Sequence, residues 1–566
     1  MARSSMMRWV RTLARNQALA QRLGRDPAEV YALSRERELS RRELLAGMGA
    51  LGVAAGALGG ARPARAANPG RIAIVGAGIA GMSAALTLAD KGLTATIYEA
   101  SDRVGGRMHS ETSYWSYPSY APVSEYCGEM IDSDHTTMMR LAARFGLALT
   151  DMIAAEPPGS TETYYLQSGP NSTIYEYYEG SQAAADFVAV YRAASRDASA
   201  TGGNTVWNSY NSYGLAFDKV SVYDWIADRV PGGLSSRMGR LLNSAYEQEY
   251  GAPTDDQSSL NIVYALSAQP AAGAFSIYGS SDQRFHIRGG NDQLPKAIAQ
   301  YLLSKGHPPV RSGRRLQAIS QTSSGAALTF DANGAAETVV ADHVILTVPF
   351  SVLRTLDTSA AQFDARKTKA ITELGSGRNA KLILQYTNRI WNQQGVWGTS
   401  NGDLYTDLGF KYFGKKRKYL DDGPQAAWDT TRGQPGPYGL ITNYTGGDAA
   451  SAFVTPAPYL NASAPSVAGY AKAFAQAFDK PFPGSAELWN GRAILSTPFT
   501  DPNLRLSYSY WRVGQYTGFA GYEGVAQGLV HFAGEHCSVD FQGFMEGAAR
   551  EGRRAALEVV NATGGG

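Results

Sequence analysis

The sequence predicts an α/β fold in two domains, and three observations predict it. The chain has 566 residues, more than one ordinary hydrophobic core accommodates. A short apolar run from Arg71 to Val75 passes straight into Gly76-Ala-Gly78-Ile-Ala-Gly81 and then into a helical pattern through Ala89. Two later runs, Asp342 to Pro349 and His531 to Glu535, have the character of buried strands, the first closed by a proline that cannot extend a ladder. A chain that is 44% hydrophobic and 18% charged is neither disordered nor fibrous.

The first stretch reads as an address. Ser40-Arg41-Arg42-Glu43-Leu44-Leu45 leads into a Gly/Ala-rich apolar run ending near Gly60, followed by Ala64-Arg65-Ala66 as a small-residue cleavage site. Residues 1–67 therefore resemble a twin-arginine export signal, the run being shorter than the roughly 20 residues that a membrane span needs. The expectation is a precursor that meets the twin-arginine machinery and a mature protein that is periplasmic or secreted. This segment holds twelve Arg against five Asp/Glu, so the formal charge of +2 leaves −5 for the remainder. A mildly acidic body without a basic block argues against nucleic-acid binding.

Next comes the glycine turn. Gly76 permits the tight turn, Gly78 lets a diphosphate approach the backbone, Gly81 lets helix and strand pack closely, and the helix N-terminus faces the phosphates. A second strand, Thr94 to Tyr98, ends at Glu99, where a carboxylate accepts from ribose hydroxyls. Arg103-Val-Gly-Gly106-Arg107 then offers backbone and charge to a diphosphate; a solvated basic turn is the alternative for Arg103. Cys127 and Cys537 are the two cysteines, with no metal-ligand spacing, and read as free thiols or as one disulfide of an exported protein. The seven histidines are scattered, and no metal is expected.

GAGIAG, Glu99, RVGGR and the C-terminal His531-Phe-Ala-Gly-Glu-His536 with Phe541-Gln-Gly-Phe-Met-Glu-Gly-Ala548 together resemble the flavin amine oxidases, a group that includes monoamine, polyamine and L-amino acid oxidases. The resemblance runs from about Arg71 to Val560, with intermediate matches at Phe285 to Asn291, Val344 to Pro349 and Lys381. It implies noncovalent FAD in a Rossmann-like FAD-binding domain that is discontinuous in sequence (68–150, 285–350 and 490–566), with an inserted α+β substrate-binding domain (151–284 and 351–489). It further implies cofactor contacts at Gly76, Gly78, Gly81, Glu99, Ala100, Arg103, Gly106, Arg107, Gly128, Glu129, Met130, Leu316, Trp511, Gly534, Glu535 and Met545. Residues Phe544 to Val560 read as a packed helix whose N-terminus stabilises negative charge on the reduced flavin.

For the chemistry, the resemblance implies Tyr516 and Phe544 as two aromatic rings before the flavin and Lys381 as a lysine holding a water near N5. Gln515 stands where some members carry a cysteine joined to the flavin, hence the noncovalent expectation. An apolar pocket lowers the pKa of an ammonium and so favours the neutral amine that gives up hydride. Ile131 occupies the position after Met130 where L-amino acid oxidases often have an arginine; Arg288 is the substitute candidate for a substrate carboxylate. Glu129 and Asp132 are candidates for a second ammonium, or are solvated or capping carboxylates. The sequence thus predicts oxidation of an L-amino acid, a basic one in particular, to the 2-oxo acid, ammonia and hydrogen peroxide with molecular oxygen. A mono- or polyamine oxidase, a quinone-linked dehydrogenase and a flavin-bearing binding protein are the alternatives, and a homo-oligomer is left open.

Overall fold

The computed structural model describes residues 70–564 apart from 118–119, 271–273, 408–409, 414–415 and 420–423; the export-signal reading of residues 1–67 lies outside the described residues. Four strands form one parallel sheet in the order Ala95–Tyr98, Ile72–Val75, His343–Leu346, Val530–Phe532. Stretches far apart in sequence thus lie side by side, as a discontinuous domain requires.

A parallel sheet of this kind is covered on both faces, and the alternation of side chains sorts these covers. Ile72, Ile74, Ile97 and Ile345 pack against the helices Ile79–Asp90, Gln293–Ser304 and Met545–Ala562. Ala73, Val75, Tyr98, Val344 and Leu346 face the antiparallel strands Arg314–Thr322, Gly325–Ala332 and Ala335–Ala341 through Leu316, Leu328 and Phe330. Small residues bring the first and last helices together. A Cβ on Gly552 would stand 2.0 Å from the Ala80 carbonyl oxygen, and Ser83 Oγ donates to the Ala549 carbonyl at 2.7 Å.

The second sheet has eight strands, ordered Tyr459–Asn461, Trp489–Ser496, Asn379–Tyr386, Gly439–Gly446, Ala426–Asp429, Ser400–Thr406, Thr161–Gln167, Tyr175–Tyr177. It joins the segments expected as the substrate domain and continues through Ser496, past the expected boundary at 489. Strand Asn379–Tyr386 is buried throughout. Ala380, Leu382, Leu384 and Tyr386 meet the helix Pro465–Phe478, so the opposite parity, which includes Asn379 and Lys381, faces the parallel-sheet domain. Register puts Tyr444 opposite Lys381 and Ala426 opposite Tyr444; Trp428, two residues on, shares that face. Among the described residues no helix is long and apolar enough to cross a membrane.

Candidate active site

Between the two sheets runs a cavity of about 700 Å³, within the range of cofactor sites. One end is lined by Tyr98, Glu99, Ala100, Arg314, Leu316 and Gln317, the middle by Gly76, Gly78, Arg103, Gly106 and Arg107, and the other end by Lys381, Trp428, Tyr444, Tyr508, Phe544 and Met545. The residues fit a dinucleotide. Gly78 and Gly105 bridge as parallel backbone, and a Cβ on Gly78 would meet nothing nearer than 3.9 Å, so the bare backbone is open to the cavity. Arg103 donates through Nη2 to the Gly106 carbonyl at 2.8 Å, while its Nη1 is buried with no hydrogen-bond partner. A buried donor without an acceptor costs about 1–3 kcal/mol, and a diphosphate oxygen would satisfy it.

Gly81 lies behind the turn and does not line the cavity; its Cβ would stand 1.9 Å from the Gly76 carbonyl oxygen, the close helix–strand contact expected of the third glycine. Glu99 Oε2 accepts from the Ala77 amide at 2.7 Å and Oε1 from Ser101 Oγ at 2.7 Å, so the acid at the ribose end also clamps the glycine turn. Glu535 fastens three cofactor segments. It accepts from Arg107 Nη1 at 2.8 Å, Ser509 Oγ at 2.8 Å and the Gly543 amide at 2.7 Å. Burial would raise the Glu535 carboxyl, but the Arg107 charge and these donors outweigh it and hold it below the ordinary glutamate value. Gly128, Glu129, Met130 and Gly534 line the same cavity.

At the aromatic end the lysine is fully engaged. Lys381 Nζ donates to the Cys127 carbonyl at 2.7 Å, the Glu125 carbonyl at 3.2 Å and Glu129 Oε2 at 2.7 Å. All three ammonium hydrogens have protein acceptors, so the expected water would have to displace one. Glu129 Oε1 accepts from Trp428 Nε1 at 3.1 Å. Burial alone would push the Glu129 carboxyl up, yet the Lys381 charge and these hydrogen bonds hold it below the ordinary value. With its charge met by Lys381, Glu129 is not the uncompensated acid for a substrate ammonium that the sequence suggested.

Five expected positions fall elsewhere. Tyr516 is buried, with its hydroxyl donating to Asn261 Oδ1 at 3.0 Å and its ring 4.6 Å from that of Trp511. Trp511 is fully buried and donates to Glu523 Oε1 at 2.9 Å. Neither lines the cavity; both are packed in the core, Tyr516 on the short helix Gln515–Gly518 and Trp511 just before it. The second ring beside Phe544 is Tyr508, whose hydroxyl lies 3.0 Å from that of Tyr444 and also donates to the Glu249 carbonyl. Gln515 likewise points away, to the Glu373 carbonyl; Ser507 is the cavity residue preceding Tyr508. Asp132 is buried outside the cavity, accepting from Ser281 Oγ at 2.7 Å and the Gln283 amide at 3.1 Å. Arg288 is exposed and off the cavity, its backbone amide bonded to the Ala148 carbonyl.

Sequence reasoning missed Tyr508, Trp428 and Tyr444. Only the pairing of Gly439–Gly446 with Asn379–Tyr386 singles out Tyr444, and that pairing spans about sixty residues of chain. Cys127 lines the cavity and Cys537 lies in the core, both as free thiols. Among the described residues Asp132, Asp134 and His135 bring ligand atoms within 4.8 Å of one another. His135 Nδ1, however, accepts from the Asp132 amide at 3.0 Å, which leaves the ring proton on Nε2 and no lone pair there for a metal.

Several buried acids hold protons unusually well. Burial, only partly offset by hydrogen bonds, lifts Glu125 from 4.5 to about 8, Asp132 from 3.8 to about 7, and Glu523 from 4.5 to about 7. Burial also lowers His109, His135 and His536 from 6.5 to about 4. The raised acids contribute stability that is fully present below their unfolded values and is lost as pH rises through 7 to 8; the lowered histidines contribute stability that is lost as pH falls from 6.5 toward 4. Thermal stability of the FAD-saturated protein is therefore expected to peak near about pH 6, and Glu125→Gln to flatten the alkaline limb. A midpoint that climbs steadily on the alkaline side would contradict this assignment.

Comparison with known proteins agrees with this geometry. The family described as flavin containing amine oxidoreductase matches residues 79–560. L-amino-acid oxidase of Crotalus adamanteus is 24% identical over 355 residues, 60% of this chain and 62% of that protein; the chain thus spans under two thirds of the length of the first curated relatives it matches. L-amino-acid oxidase of Mus musculus is 24% identical over 518 residues, covering 88% of this chain and 72% of that protein. Among solved structures, cyclohexylamine oxidase from Brevibacterium oxydans IH-35A superposes with a TM-score of 0.69 at 20% identity, over 87% of this chain and 99% of that one. Putrescine oxidase bound to putrescine gives 0.68 at 19% identity over the same shares.

Proposed function

Because the chain belongs to the family of flavin-containing amine oxidoreductases, with FAD as its cofactor, we propose that it holds FAD noncovalently and oxidises a primary amine at the carbon that bears nitrogen. The products are an imine, which water converts to a carbonyl compound and ammonia, and hydrogen peroxide from molecular oxygen. The observation that carries this reading is the continuity of one cavity from the bare glycine turn at Gly78 to the aromatic end at Tyr508, Phe544 and Lys381.

FAD supplies the hydride acceptor when bound. The chain supplies the rest. Gly78 and the free Arg103 Nη1 hold the diphosphate, and Glu99 the ribose. The N-terminus of Met545–Ala562 favours negative charge beside it. Tyr508, Phe544, Trp428 and Tyr444 make an apolar wall that excludes water and disfavours the ammonium form, leaving the lone pair free to expel hydride. Lys381 lines the same cavity, and Glu129 neutralises it. Lys381 therefore offers no free charge to a substrate carboxylate, and the wall beside it is aromatic, which favours an amine with an apolar remainder.

A second reading is the L-amino acid oxidation expected from the sequence, favoured by the likeness to the Crotalus and Mus enzymes of that name. The test is anaerobic bleaching of the flavin by matched pairs, an arylalkylamine against the L-amino acid that carries the same side chain. Bleaching by the amine and not the acid supports the first reading, and the reverse supports the second. A flavin that no amine or amino acid bleaches would overturn both. Peroxide on readmission of air identifies oxygen as the acceptor; its absence with a fast quinone reaction would replace oxidase by dehydrogenase. Periplasmic or secreted location after twin-arginine export belongs to the same proposal.

A further inference from the structure

We propose that Glu129 is a positioning residue that cancels the charge of Lys381 at the flavin and thereby lowers the affinity of the flavin for electrons; the inference rests on the reading that the aromatic end of the cavity seats the flavin ring. Three observations carry it. The Lys381 Nζ to Glu129 Oε2 contact is 2.7 Å, with side chains 7% and 2% exposed, so the pair is sealed from solvent and is little screened. The second Glu129 oxygen is held by Trp428 Nε1 at 3.1 Å, and the Trp428 ring meets that of Tyr444 at 5.2 Å, which fixes the acid from the side away from the lysine. All of Glu129, Lys381, Trp428 and Tyr444 line the cavity.

Physically, an unpaired cation beside a reduced, negatively charged flavin stabilises it, and a paired one does so far less. Lys381 is anchored by two backbone carbonyls, from Glu125 and Cys127, so it would keep its place if the acid were made neutral. Glu129 therefore sets the size of the electrostatic effect rather than the presence of the lysine. The consequence is a flavin tuned below the potential that the lysine by itself would give.

The test uses the holoenzyme and two readouts that need no substrate, the sulfite dissociation constant followed by flavin bleaching and the flavin midpoint potential. Glu129→Gln is expected to bind sulfite about tenfold tighter and to raise the potential; Lys381→Met, which strands the acid, is expected to bind about tenfold more weakly. Glu129→Asp, which keeps the charge, should stay near wild type, and the double variant E129Q/K381M should return to within about threefold of it. Should Lys381→Met fail to fold, Glu129→Gln against the double variant carries the same comparison. Unchanged sulfite binding in Glu129→Gln, or a Glu129→Gln shift that persists undiminished in the double variant, would overturn the inference while leaving amine bleaching intact. Absence of any bound FAD would overturn this inference and the functional reading together.

Discussion

Gly81→Ala is expected to yield a chain that does not retain FAD. The added Cβ would stand 1.9 Å from the Gly76 carbonyl oxygen and 3.3 Å from Ile74 Cγ2. Neither neighbour is the end of a flexible side chain that could swing away: one is the turn itself and the other is a methyl of the central strand, packed in the core. Relief requires the helix Ile79–Asp90 to lift off the sheet, and that helix is also held by Gly552 and by the Ser83 hydrogen bond. Overpacking of this kind costs about 1–3 kcal/mol and more where backbone must move, and the displaced helix N-terminus no longer meets the diphosphate. The ratio of flavin to protein absorbance after purification in excess FAD measures the effect. Gly518→Ala is the control, since nothing lies within 4 Å of its would-be Cβ. A yellow, normally stable Gly81→Ala protein would show that the glycine turn is not packed as described.

Lys381→Met is expected to cost about 3–5 kcal/mol of stability, the price of leaving one partner of a buried ion pair alone, and to slow flavin reduction by about a hundredfold. Three acceptors lose their donor at once, the carbonyls of Glu125 and Cys127 and the Glu129 carboxylate. Glu129→Gln in the same chain should recover much of the stability and much of the rate, because the stranded charge beside the flavin is gone. Chemical unfolding and single-turnover reduction separate the two effects. A Lys381→Met enzyme as stable and as fast as wild type would remove the lysine from both roles.

The sequence by itself determined what is written in short, contiguous patterns. Val75, Gly76, Gly78, Gly81 and Glu99 lie within one strand–turn–helix–strand unit, where covalent spacing fixes which atoms meet, and the glycine roles there follow from sterics alone. The buried strand His343–Leu346 and the helix Met545–Ala562 were legible for the same reason, since their apolar periodicity is local. Only the tertiary structure decided which side chains enter the cavity. Tyr508 and Tyr516 are eight residues apart in an irregular stretch that carries one two-residue strand and one single-turn helix, so no period assigns their faces, and packing against Trp511 and Asn261 sends Tyr516 inward. Asp132 is drawn off by the hydrogen bond from Ser281, Arg288 stands exposed off the cavity, and Lys381 meets an acid 252 residues away. Short-range order is set by the chain's own geometry, whereas the charge balance and the aromatic wall of the site exist only once distant strands are in register.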